Sequence, residues 1–263
     1  KLAKYGVTTG GALVLVALLL IFFYLLYVVK PIFNGASMEP TASFTLPAAG
    51  KTAWLGVEEQ NEIGYRFSDK GQVNFFAVQG DDKIKVGQSL GQAQVAGDIT
   101  TVATPAPGQR LIAYGFADGK AQVAQPAFKV SYPNDVRVIE PSLQSPFGEE
   151  PVVVDPQGKA LTLMVFEATK DKMATAAVTA DGRGVMAVMS GEENFLSGDI
   201  EWSAQNYSIP SLPRHVDQML LTPNLRILFV REGNRLSVYD IHNLNDISLR
   251  DVMEINAPNA SVT

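Results

Sequence analysis

Between Lys4 and Lys30 the chain carries no charged side chain, and no other feature limits its fold and surroundings so sharply. From Gly10 to Val29 it reads GGALVLVALLLIFFYLLYVV. An α-helix rises about 1.5 Å per residue, so about 20 apolar residues cross a hydrocarbon core of about 30 Å. A run of this kind also occurs as a buried core helix or as the apolar part of a signal peptide. It is longer than the usual signal core of about 7–15 residues, and only Ala36 offers a weak cleavage position after it. Tyr24 and Tyr27 near its far end suit an interfacial aromatic belt, with Lys30 extending outward just beyond them. The expectation is an N-terminal flank and transmembrane helix over residues 1–30.

Lys1 and Lys4 precede the span and the first acid is Glu39, so the positive-inside bias puts the N-terminus in the cytoplasm and residues 31–263 outside. The chain starts with Lys rather than Met, which suggests a missing cytoplasmic leader. Of 21 basic residues, removal of Lys1, Lys4 and Lys30 leaves 18 against 27 acids, a balance of −9 for the outer part. An acidic surface disfavours nucleic acid and offers no long-range attraction to anionic ligands. Cysteine is absent and the only histidines are His215 and His242. Disulfides, Cys-ligated zinc and a His-rich metal centre are therefore excluded, and no metal or cofactor site is expected.

Residues 31–50 are rich in Pro, Ala, Ser and Gly without helical or strand period, the composition of a linker. From Lys51 to Thr263 short β runs dominate: VNFFAV (73–78), RLIAY (110–114), LTLMVF (161–166), RILFV (226–230) and LSVY (236–239). Turn signals separate them, among them Ser68-Asp69-Lys70-Gly71, Asp118-Gly119, Asp181-Gly182 and Gly233-Asn234. No amphipathic helix of three turns is visible. The fold class expected is one transmembrane helix followed by an all-β extracytoplasmic domain.

A loose repeat runs through this domain, in which an apolar strand is followed by a hairpin and an outward strand. VNFFAV leads to KIKV (83–86), RLIAY to KAQVA (120–124), and LRILFV to RLSVYDI (235–241). This is the pattern of the inner strands of a β-propeller blade, although the spacing is irregular against the usual ~40–45 residues. A β-sandwich built of meanders is the alternative. At most three or four blades fit, so a closed propeller would need sequence beyond Thr263, and the turn-like ending MEINAPNASVT suggests a chain cut at its C-terminus.

No catalytic constellation emerges. Gly-x-Ser-x-Gly, His-Glu-x-x-His and the Gly-x-x-x-x-Gly-Lys phosphate loop are all missing, so ATP hydrolysis would belong to another subunit. His215 lies between Arg214 and Asp217 and reads as a blade-edge residue, and His242 as a turn residue. The pairs Asp81-Asp82, Glu149-Glu150 and Glu192-Glu193 read as solvated turns, since neighbours on a strand point to opposite faces. Asn206 and Asn259 lie in glycosylation sequons, which matter only in a host that glycosylates secreted proteins. Gly10-Gly11 permits close helix packing or marks the interfacial end of the span.

The polar edges of the apolar helix carry a resemblance. Lys4-Tyr5-Gly6-Val7-Thr8-Thr9-Gly10-Gly11, followed by LLLIFFYLLYVVKPIFNGA (18–36), resembles the N-terminal segment of PstC-type permeases, inner-membrane subunits of bacterial phosphate ABC transporters. It is most similar to the enlarged form with a long periplasmic insertion after the first transmembrane helix. The likeness is sharp over the first thirty-odd residues and architectural afterwards. It implies phosphate import together with a second permease subunit, cytoplasmic ATPase subunits and a periplasmic phosphate-binding protein. The pore helices and coupling loop of that family have no counterpart here, so no transport residue carries over. Two other readings stay open: a single-span tether whose β domain scaffolds or senses envelope partners, and an extracytoplasmic hydrolase, which lacks a nucleophile and base.

Overall fold

The computed structural model describes residues 2–33, 35, 38–40, 42–46, 49–80, 84–193 and 200–255. They fall into two units, Lys1–Ser43 and Phe44–Thr263. The first consists of helix α1 (Leu2–Val29) and a 3-10 turn, Lys30–Phe33. A helix apolar on every side has no polar face to give to water. Its described side chains are exposed, and it is long and apolar enough to cross a membrane. At Gly6, Gly10 and Gly11 no other atom lies within 4 Å of a Cβ position, so this side of the helix is open to close approach.

The second unit is all β. Its first sheet is β1 (Thr52–Val57), β2 (Ile63–Ser68), β3 (Gln72–Ala77) and β4 (Ser89–Gln94). The second is β5 (Ile99–Ala103), β6 (Ile112–Phe116), β7 (Lys120–Ser131) and β8 (Val138–Gln144), with β9 (Val152–Val153) added beside β7. The third is β10 (Leu161–Ala168), β11 (Lys172–Thr179), β12 (Gly184–Glu193) and β13 (Ile200–Ile209). The fourth is β14 (Gln218–Leu221), β15 (Ile227–Glu232), β16 (Arg235–Asp240) and β17 (Ser248–Glu254). Each is an antiparallel meander in chain order, the unit from which propeller blades are made.

One local device recurs in all four sheets. The turn between second and third strands contains a glycine with positive φ: Gly71 (77°), Gly119 (79°), Gly182 (81°) and Gly233 (56°). In the first three, the glycine N–H donates back to the residue three before it, Ser68, Phe116 or Thr179. A side chain with a Cβ rarely adopts that conformation, so the Asp-Gly and Lys-Gly signals set the hairpins.

Consecutive sheets stack face to face. The first and second share a core of Tyr65, Phe67, Val73, Phe75, Ile112 and Tyr114, all nearly inaccessible. The second and third enclose Val123, Val154, Leu161, Phe166 and Met173. The third and fourth enclose Met186, Ile209, Leu221, Leu228 and Tyr239. The sheets between the ends are thus covered on both faces, and the first strands β5, β10 and β14 lie side by side. A sandwich shares one core between two sheets. Serial stacking with three cores sets that alternative aside in favour of a propeller-like arrangement.

The stacking also explains the irregular repeat. VNFFAV is the third strand of its sheet (β3), whereas RLIAY and LRILFV supply second strands (β6 and β15), so the units compared were not equivalent. KIKV is corrected: among the described residues of 83–86 no strand forms, and the fourth strand begins at Ser89 after a turn with Gly87 at φ 82°. RLIAY enters its sheet only at Ile112.

The end of the expected linker also belongs to the β unit, which starts at Phe44. The Phe44 ring lies 5.5 Å from that of Phe76, and Ala49 N–H donates to Gln72 Oε1 at 2.7 Å. Arg66 donates from its guanidinium to Gly50 O at 2.7 Å and to Thr52 Oγ1 at 2.8 Å. Phe44, Ala49, Gly50 and Thr52 thereby cap the face of the first sheet that the first core does not reach.

Candidate functional site

A cleft of about 720 Å³ in the second unit lies where the third sheet outruns the fourth. Alternation along β12 puts Met186, Val188, Ser190 and Glu192 on one side, opposite Tyr207, Gln205, Ser203 and Glu201 of β13. The first two residues are buried in the core shared with the fourth sheet. Beyond that sheet's edge the same face turns polar and meets solvent. One face of one hairpin thus passes from core to cleft floor, because strand length exceeds the cover available.

The opposite wall comes from the fourth sheet: the turn Asn224-Leu225-Arg226 and the segment holding Ile241, His242 and Leu244. Thr222 shapes that turn, its carbonyl accepting Leu225 N–H at 2.8 Å and its hydroxyl accepting Ile227 N–H at 3.0 Å. Leu225 has φ 54°, held by this turn. Lys172, Arg226 and His242 reach the cleft together with Asp171 and Glu192. Among the described residues none of these five side chains forms an ion pair. The cleft has donors, acceptors and both signs of charge, and suits the polar recognition of a ligand or protein loop.

The junction of the second and third sheets holds a network of one arginine and two aspartates. Asp155 is 1% exposed and accepts two hydrogen bonds from Arg183, at 3.0 and 2.8 Å. It also accepts Gln157 N–H at 3.2 Å and Lys159 N–H at 2.9 Å. The Arg183 bonds, reinforced by the backbone donors, hold the Asp155 carboxyl down at about 2 against the cost of burial. Arg183 also pairs with Asp181 at 2.9 Å. With its guanidinium committed twice and its acid desolvated, this network reads as a latch between sheets rather than a reactive centre. Glu167 behaves differently: burial raises its pKa, while Ala106 N–H at 2.6 Å and Gln109 Nε2 at 3.2 Å partly compensate.

Of the histidines and acidic pairs singled out from sequence, His242 and Glu192 line the cleft. His215 lies in the connection before β14, exposed, its backbone N–H donating to Glu232 Oε1 at 3.2 Å. Glu192-Glu193 is corrected: the pair forms the end of β12, with Glu192 opposite Glu201 in register, rather than a turn. Glu149-Glu150 is exposed in the bend before β9. The Asn206 amide donates to Val153 O at 2.6 Å and Val154 O at 3.2 Å, stitching the third sheet to the second. Asp81-Asp82, Asn259 and Ala36 lie outside the described residues. Among the described residues no cluster of three metal-ligating side chains occurs. Sequence reasoning missed the cleft and the Asp155–Arg183 pair. The one signal available was the matching of Pro156-Gln157-Gly158 and Asp181-Gly182 as turns that each carry a neighbouring charge.

No protein-family model matches the chain, and no curated protein matches it. Among solved structures it is similar to the β-propeller domain of Myceliophteria thermophila Cps50 (Swd1), at 11% identity and TM-score 0.39 over 80% of this chain. It is also similar to a candidate 6-phosphogluconolactonase from Bacteroides fragilis, at 13% identity and TM-score 0.42 over 79% of this chain. A functionally unknown protein from Desulfotomaculum acetoxidans aligns at 8% identity and TM-score 0.44 over 80%. The chain spans 57%, 56% and 59% of these three chains respectively.

Proposed function

We propose that this chain is the first membrane helix and the periplasmic β insertion of a PstC-type permease, a non-catalytic subunit of a bacterial phosphate importer. The observation that carries the reading is the pair of polar edges, Lys4–Gly11 and Lys30–Ala36, around one apolar helix that is followed in the chain by an all-β unit. In this reading the N-terminus is cytoplasmic, the helix lies in the inner membrane and residues 31–263 are periplasmic. A second permease subunit, cytoplasmic ATPase subunits and a periplasmic phosphate-binding protein are the partners. The β unit stands on the side from which substrate arrives, and its role is to dock the binding protein or regulate its access.

The test is phosphate uptake and partner capture in the source cells. Removal of residues 44–263 from the parent protein, cap included, is expected to weaken binding-protein association and slow uptake at low phosphate. Unchanged uptake and unchanged binding-protein affinity would defeat the docking role. Co-purification of the parent with a second permease and an ATPase is expected. Capture of envelope proteins alone would favour the second reading, a single-span tether, which the polar 720 Å³ cleft makes concrete as a scaffold or sensor.

A further inference from the structure

Along the chain, each sheet of the β unit is covered on its onward face by the sheet that follows: the first by the second, the second by the third, the third by the fourth. The fourth sheet breaks the succession. Register places Leu220, Phe229, Val238 and Asp251 in one row on its onward face, and Gln218, Arg231, Leu236 and Met253 in the next. None of these residues belongs to the three cores. Val238 is buried, Leu220, Phe229 and Leu236 are half-buried, and Asp251 and Met253 are exposed. Antiparallel sheets that face water are normally polar on that side, and this one is apolar across its centre. The apolar row fits a surface made to meet another one.

We propose that this onward face is a sheet-on-sheet interface whose occupant is a further four-stranded antiparallel sheet of the same polypeptide. The inference rests on the permease reading, in which the polypeptide continues from the β unit to further membrane helices. Succession argues for this occupant over a second copy: β5, β10 and β14 lie side by side, so another sheet in the same sense extends the arc. Propellers close at about 4–8 blades, which leaves room for that extension. A two-fold contact would pair the face with itself and end the arc. The occupant presents an apolar row to Leu220, Phe229 and Leu236.

The chain contains no cysteine, so Leu236→Cys provides a single thiol on the face and Leu55→Cys, 60% exposed on β1, a reference. Met253→Cys, at the rim, serves if Leu236→Cys fails to fold. Maleimide labelling is measured in the 263-residue chain and in the parent protein in native membranes. The face thiol is expected to label about tenfold more slowly in the parent, because reaction then requires local opening, while the reference labels alike in both. Equal rates at the face would overturn the proposal. So would protection in the short chain that rises with concentration alongside a dimer mass in light scattering. Protection in a parent without further membrane helices would sink the permease reading and leave the interface standing. Further helices with an unprotected face would do the reverse.

Discussion

The first and fourth sheets each have one face outside the shared cores, and the chain treats the two faces differently. On the first, Phe44 lies against Phe76, Gly50 accepts from Arg66, and Ser68, Asn74 and Phe76 are all nearly inaccessible. On the fourth, Leu220, Phe229 and Leu236 remain half-buried, and outer strand β17 is exposed along its whole length. Both sheets are meanders with the same positive-φ glycine in the central hairpin, so local sequence does not explain the contrast. The segment just before β1, through its described residues 44–46 and 49–51, does. A terminal sheet needs cover for its second face, and irregular chain can supply it when it carries one aromatic ring and a few backbone acceptors.

The largest effect expected tests the shared cores against the bare face. Phe67→Ala removes a 0%-exposed ring packed on Trp54 and Tyr65. It should lower stability by about 4 kcal/mol, whereas Phe229→Ala on the onward face of the fourth sheet should cost only about 1 kcal/mol. Urea unfolding of both variants measures the gap. Equal losses would mean that Phe229 is covered after all.

Asp155→Asn breaks the latch at a junction covered on both faces and so calibrates the two ends. Its cost at neutral pH should be about 2–3 kcal/mol, kept below that of a fully buried pair by the partial exposure of Arg183. Because the folded carboxyl titrates at about 2, below its unfolded value, its stabilisation is present above the unfolded value and lost as pH falls through about 2. Asp155→Asn should therefore flatten the decline of stability below pH about 4, where the unfolded carboxyl titrates. An acid limb as steep as in the parent chain would show that other carboxylates govern it.

Phe44→Ala should cost about 1–2 kcal/mol by stripping the cap from Phe76. Hydrogen exchange should quicken in Gln72–Ala77 and leave Ile227–Glu232 unchanged. Exchange that quickens equally in both segments would show that the cap acts on the whole unit rather than on its own sheet. The smallest effect belongs to the cleft, where Arg226→Ala should change stability by less than about 0.5 kcal/mol, as for other exposed side chains without partners. A larger loss would reveal a structural role for the cleft wall.

Strand existence was legible where apolar and β-branched residues cluster: the cores of β3, β10, β15 and β16 lie within the runs read at 73–78, 161–166, 226–230 and 236–239. Other strands were hidden. Lys172–Thr179 and Ser89–Gln94 are built largely of Ala, Thr, Gly, Ser and Gln, whose place in a sheet depends on neighbours rather than intrinsic preference. The repeat was visible but misaligned, since second and third strands look alike in composition. The cleft left no trace beyond two of its lining residues, His242 and Glu192, because it arises from unequal lengths of hydrogen-bonded strands contributed by different sheets.

By itself the sequence determined what depends on neighbours along the chain. The helix follows from an uncharged apolar run longer than a bilayer is thick, and the hairpins follow from glycines at positions where a Cβ is disfavoured. Tertiary structure decided which sheet covers which, why Phe44 to Thr52 belongs to the β unit, and how Asp155 meets Arg183 across 28 positions. Those outcomes rest on contacts between distant segments, and each is settled by burial and hydrogen-bond partners that no local pattern encodes.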